Sequence, residues 1–348
     1  MDIATLRILR LALGTSASLW FSQAAAWDMS FLAPVITLLI LSLPLPALKL
    51  KSGIAFVAIL ALSLLAGLLL LPPLLNQPLV GVLLLVLALY WSFYFTAKGG
   101  SALLGTFATV GIAVSAAIGT VSLDAMLPLI GNFSFGALAG VLFVWVAHAI
   151  LPDSKAIMPD ADAAAKPPAP PKPDLSAARW SAFRSTMIVL PVALWFLFSA
   201  ASAAYVPVMI KVASMGQQAT NDAARLAGRS LVMSTIIGGI GAIIGWQVLS
   251  IAPTLTIYTL VIALGALLMG PRIFQGRAMH PQGATWSYGF LTMIVILAPA
   301  VMDSAGGGPA GIKFWDRIIM FGGTTIYALG TVYIFDAFTA SRRKAAIT

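Results

Sequence analysis

Residues 53–75 read GIAFVAILALSLLAGLLLLPPLL and carry no charged side chain. As a helix, a run of this length rises about 35 Å and covers the roughly 30 Å hydrocarbon core of a bilayer. It is apolar on every face and lacks the every-second-residue alternation of a membrane barrel strand. Inside lipid each backbone N–H and C=O needs an internal partner, and only a helix supplies them within one segment. The stretch therefore reads as a membrane-spanning helix.

Similar apolar runs fill the chain on both sides. Breaks at charged, Pro and Gly positions divide it into spans at roughly 6–27, 28–46, 53–75, 77–97, 101–122 and 125–151, then 180–203, 204–218, 231–252, 254–275, 284–302 and 314–338. Spans 28–46 and 204–218 are short, and each holds a proline, Pro34 and Pro207. The composition agrees: 60% of the 348 residues are hydrophobic and 9% are charged. A soluble domain carries about 25% charged residues, so too few are present to cover a water-facing surface. The expected fold is an all-α polytopic membrane protein of about 12 transmembrane helices.

The first span, with Arg7 and Arg10 ahead of it and Ala24-Ala25-Ala26 behind, has the outline of a signal peptide. Its core is diluted by Gly14, Thr15, Ser16 and Ser18, so a retained helix is expected.

The net charge of +9 suggests nucleic acid only until the charges are placed. With the N-terminus in the cytoplasm, seventeen of the twenty basic residues fall in cytoplasmic loops or at their edges. The other three are Lys211, Lys313 and Arg317. This positive-inside bias expects a bacterial inner membrane, an even number of crossings and both termini in the cytoplasm. Nucleic acid is not expected as a partner. There is no Cys and there are two His, which leaves no thiol or histidine set for a metal. No cofactor and no enzymatic chemistry are expected, since no nucleophile, metal or paired-carboxylate constellation is visible.

The chain divides into a first membrane region at 1–152, a linker at 153–178 centred on KPPAPPKP, and a second membrane region at 179–348. Proline at that density gives an extended, semi-rigid spacer. The two membrane regions share landmarks in order. Leu19-Trp20-Phe21 matches Leu194-Trp195-Phe196, and Pro34-Val35 matches Pro207-Val208. Lys51-Ser52 and Gly67 match Arg229-Ser230 and Gly245. Six helices per half makes them parallel repeats, and transporters of this kind place the substrate path where the repeats meet.

An arginine entering a small-residue helix, then the short LAPVITLLIL at 32–41, then AARLAGRSLVMSTIIGGIGAIIG at 223–245, form a further pattern. It resembles the fusaric acid resistance and aromatic acid exporter superfamily, which includes plant aluminium-activated malate channels. The nearest resemblance is to a short bacterial branch without the large cytoplasmic domain. The resemblance implies export of organic, often aromatic, acids across the inner membrane with a periplasmic membrane-fusion adaptor. The expected partners are thus a small organic anion, the lipid bilayer, such an adaptor and further copies of the chain.

Charges inside membrane helices are expensive and mark transport paths by default. Lys211, Ser214, Gln218, Asp222, Arg225 and Arg229 are spaced three or four apart, which lays them on one helical face. Such a stripe suits a carboxylate, with Lys211 as the central cation and Pro207 freeing backbone groups beside it. The alternative is that Lys211 snorkels to the interface and the later charges form a solvated turn. Arg10 and Arg184 sit at matching places in the first and seventh spans. They serve either as a basic vestibule or as topology anchors. Asp28, between two spans, is the proton-coupling candidate, with an interfacial helix cap as the alternative. Gly136-x-x-x-Gly140 and Gly241-x-x-x-Gly245 are expected to allow close helix packing. Trp20, Trp195, Tyr90, Trp91 and Tyr94 either stack on an aromatic acid or belong to the membrane belt. An organic acid exporter is the leading expectation, with an anion channel and a non-transporting assembly subunit as alternatives.

Overall fold

A computed structural model describes residues 2–152, 174–198, 209–210, 212–213, 215–217, 224–305 and 310–345. The chain is an all-α polytopic membrane protein. Its helices are α1 (Ile3–Ala24), α2 (Leu32–Leu41), α3 (Leu50–Leu68), α4 (Leu71–Asn76), α5 (Pro78–Ala97), α6 (Ala102–Val121) and α7 (Met126–Ile150). Beyond the linker come α8 (Leu175–Phe198), α9 (Ala224–Ile251), α10 (Leu255–Ile273), α11 (Gly283–Ala305) and α12 (Ala310–Ala345). One two-residue hairpin, Phe274–Gln275 with Ala278–Met279, turns at Gly276, whose φ of +59° suits glycine.

Among the described residues, eight helical segments are long and apolar enough to cross a membrane. The segment Leu50–Asn76 is one of them, and it contains residues 53–75. Its helix breaks after Leu68 and resumes as α4, where Pro72 and Pro73 supply no N–H to the preceding turn. Leu79 is 84% exposed and Ile251 is 85% exposed. Such apolar side chains face lipid in a bilayer.

The chain divides into two compact units, each drawn from both sides of the linker. The first comprises Met1–Ala58, Asn132–Pro173 and Ile237–Ala298. Within it α1 packs along α10 and α2. All ten residues of α2 are buried, because α7 meets it with glycines. A Cβ on Gly136 would come within 2.8 Å of Leu32, and one on Gly140 within 2.8 Å of Ile36. Gly241 and Gly245 meet Met293 and Leu297 of α11 in the same manner, so both glycine pairs are close-packing positions.

The expected span 28–46 is corrected here. Its helix is only ten residues long, about 15 Å, half the hydrocarbon thickness. Pro44 and Pro46 end it, since neither can donate to the preceding turn. The carbonyls freed in this extended stretch find side-chain donors. Trp145 Nε1 donates to the Leu48 carbonyl at 2.8 Å and Arg7 Nη2 to the Pro44 carbonyl at 3.4 Å.

The second unit comprises Ile59–Gly131, Asp174–Ile236 and Pro299–Thr348. Here α5 packs along α8 and α6, while α8 also touches α12. At the start of α8, outside the membrane, Asp174 accepts from the backbone N–H and hydroxyl of Ser176. Those bonds hold its carboxyl below the usual carboxylate range.

Pro191 lies inside α8 and cannot donate to the carbonyl of Met187 four residues back. Tyr327 of α12 fills that role, its hydroxyl donating to the Met187 carbonyl at 3.1 Å. A helix-breaking residue is thus tolerated because a neighbouring helix satisfies the backbone it releases.

Candidate functional site

Each unit encloses a cation contributed by its proline-containing or small-residue helix. In the first unit Arg10 of α1 is 3% exposed. It reaches this depth because Ser, Gly and Ala positions leave room on the same helix: Gly14, Thr15, Ser16 and Ser18 are all buried with it. Arg10 Nε donates to the Leu151 carbonyl at 2.6 Å, at the C-terminal end of α7. A cation there meets the negative end of the helix dipole. Arg10 shares a cavity with Arg7 and His148, walled by Leu41, Leu43, Pro46 and Val144. The cavity volume is about 20 Å³, room for about one water. Arg7 also donates to the Arg277 carbonyl at 2.7 Å and so ties the hairpin turn to α1. His148 Nδ1 lies 2.9 Å from the Val144 carbonyl, its own preceding turn.

In the second unit Arg184 of α8 is buried at 8% exposure, and Arg317 of α12 at 5%. Further along α8, Pro191 and Trp195 border an apolar groove with Met320, Gly323, Thr324 and Tyr327 of α12. Trp195 is half exposed in it.

The sequence-derived residues fare differently. Arg10 and Arg184 are both buried, and Arg10 donates to the end of α7. Lys211, Ser214 and Gln218, with Asp222, lie outside the described residues. Arg225 stands in the first turn of α9, and Arg229 on the same helix is exposed. Asp28 is exposed in a turn spanning residues 25–31, so the direct helix-to-helix junction expected there is corrected. That turn is closed by the Ser22 hydroxyl donating to the Ser30 carbonyl at 2.7 Å. Among the described residues no cluster of three or more His, Cys, Asp or Glu could hold a metal ion.

Three residues of interest escaped the sequence reading. Arg7 and His148 were visible only as loop-edge charges, since their convergence on one cavity needs α1 and α7 side by side. Gln217 lies one residue from the predicted stripe and is fully buried.

Residues 7–147 match a family model described as a protein of unknown function (DUF2955). This is a family of membrane proteins, and the matched region runs from Arg7 of α1 through most of α7. No curated protein and no solved structure matches the chain.

Proposed function

We propose that the chain is a secondary exporter of small organic or aromatic acids in the bacterial inner membrane. The observation that carries this reading is the pair of buried arginines, Arg10 and Arg184, at corresponding places in α1 and α8. Shifting α1 by the 174 residues that separate them lays its buried face on that of α8. Arg10, Leu11, Ala12, Gly14 and Thr15 fall on Arg184, Ser185, Thr186, Ile188 and Val189, and all ten are buried. The packing partners correspond as well, α1 with α10 and α8 with α5. These relations support two related halves, with both termini cytoplasmic as the basic residues suggest.

A guanidinium held in apolar surroundings recognises a carboxylate by charge-assisted, paired hydrogen bonds. Duplicating it gives one such group per repeat. The stripe through Lys211, Ser214, Gln218, Arg225 and Arg229 would extend the basic path, and Asp28 would carry a coupled proton. A periplasmic adaptor would complete the route outward, and the resemblance to the aromatic acid exporters is the reason for including it.

Cells expressing the chain should accumulate less labelled benzoate than cells without it. Arg10→Gln and Arg184→Gln should each abolish that difference at unchanged membrane abundance. Loss of a charged hydrogen-bond donor weakens anion binding roughly ten- to a hundredfold. Undiminished export by both variants would remove the arginines from the path.

A further inference from the structure

Polar side chains in the second unit are mostly satisfied by nearby backbone. The Ser92 hydroxyl donates to the Gly105 carbonyl at 3.0 Å and lies 2.8 Å from Thr109 Oγ1. Ser63 reaches the Leu60 carbonyl at 2.7 Å, and Thr106 the Ala102 carbonyl at 2.9 Å. Among the described residues, the buried Ser115 hydroxyl of α6 lacks such a partner, and a second exception gathers several polar atoms at one point. Gln217 is 0% exposed, and among the described residues neither its Nε2 nor its Oε1 has a hydrogen-bond partner. Thr96 of α5 is 4% exposed, and its Oγ1 also has none. The two converge on Gly105 of α6: a Cβ there would collide with Thr96 Oγ1 and lie 2.7 Å from Gln217 Nε2. Only glycine leaves room for them.

Orphaned polar atoms in an apolar interior are costly and rare, and three at one place call for a missing partner. Their chemistry says which. The primary amide of Gln217 presents a donor and an acceptor side by side. A carboxylate offers two acceptors, so it would pair with Nε2 and be repelled by Oε1. A protonated carboxyl group, or another primary amide, offers one donor and one acceptor and closes a two-bond ring with it. The Thr96 hydroxyl can donate or accept and takes the remaining lone pair. Apolar side chains pack tightly on the adjacent residue: a Cβ on Gly216 would be 2.6 Å from the Phe93 ring and 2.7 Å from Val189.

We propose that Gln217 and Thr96, seated on Gly105, form a subsite for the uncharged carboxyl or amide head of a small apolar molecule. The inference takes its occupant from the organic-acid reading above. The arginines hold the anion; this subsite holds the same acid after it has gained a proton from bulk water. These atoms are shut off from solvent in this state.

The test is ligand-induced thermal stabilisation of the purified full-length protein, with benzamide and benzoate as probes. Benzamide is neutral throughout, so it should stabilise the protein saturably and equally at pH 5.5 and pH 7.5. In the Arg10→Gln, Arg184→Gln variant, where the anion sites are removed, benzoate should weaken about tenfold per pH unit, because a carboxyl group with a pKa near 4 loses its neutral form at that rate. Gln217→Met should raise the stability of the empty protein and weaken benzamide at least tenfold. Thr96→Val, nearly isosteric, should also weaken it and decides the matter if the methionine variant does not fold. Absence of benzamide stabilisation, or unchanged binding by Thr96→Val and Gln217→Met, overturns the subsite. The arginine variants test export separately, so a failure here leaves that reading standing.

Discussion

Replacing Tyr327 by Phe should destabilise the wild-type protein by about 1 kcal/mol and have almost no effect once Pro191 has been replaced by alanine. Pro191 supplies no N–H, so the Met187 carbonyl depends on the Tyr327 hydroxyl at 3.1 Å. In lipid no water replaces that donor. A carbonyl left unsatisfied costs about 1–3 kcal/mol in soluble interiors. Interhelical hydrogen bonds measured inside membranes average about 0.6 and reach about 1.7 kcal/mol. Tyr327 is 38% exposed along its groove, which places it between those ranges. The Pro191→Ala substitution would restore an N–H to the helix ladder and make the hydroxyl redundant. The four proteins of this cycle can be unfolded in mixed micelles at rising SDS fraction, and the coupling read as the difference of differences. A Tyr327→Phe cost that is equal in both backgrounds, or zero in the wild type, would refute the assignment of Tyr327 as the proline's partner.

The glycine contacts give a contrasting pair. Gly140→Val, 2.8 Å from Ile36 at its Cβ, should destabilise by about 1–3 kcal/mol through overpacking. Gly131→Ala in the same helix meets nothing within 4 Å and should stabilise by up to about 1 kcal/mol, both read from the same SDS titration. Because each compact unit takes residues from both sides of the linker, fragments 1–152 and 179–348 should be degraded when expressed singly and persist when co-expressed. Stable accumulation of either fragment alone, seen by immunoblot of membranes, would contradict that interdependence.

The helical membrane fold was legible because it depends on local sequence. Residues 53–75 are apolar but for Ser63 and carry no charge, whereas the span expected at 28–46 ran past Pro44 and Pro46, where the helix has already ended. The glycine pairs were legible too, since their i and i+4 spacing fixes a common face. Other features depend on chain segments far apart in sequence. Nothing near Pro191 points to a tyrosine 136 positions later, and nothing near Arg10 points to the end of α7. The division into compact units was hidden for the same reason: the landmarks repeat in chain order, but packing joins α1 to α10 and α8 to α5. For the site, reasoning by charge drew attention to Lys211 and passed over Gln217. A neutral amide becomes conspicuous only when its neighbours are seen to leave it without a partner.

The most direct test of the account is flux of labelled benzoate through the purified full-length protein in liposomes, with an imposed gradient. Wild-type protein should carry it with saturation well above the rate of protein-free vesicles, and the Arg10→Gln, Arg184→Gln double variant should fall to that background. Flux in the wild type no greater than in empty vesicles would contradict acid export, and full-rate flux in the double variant would contradict the role given to the buried arginines.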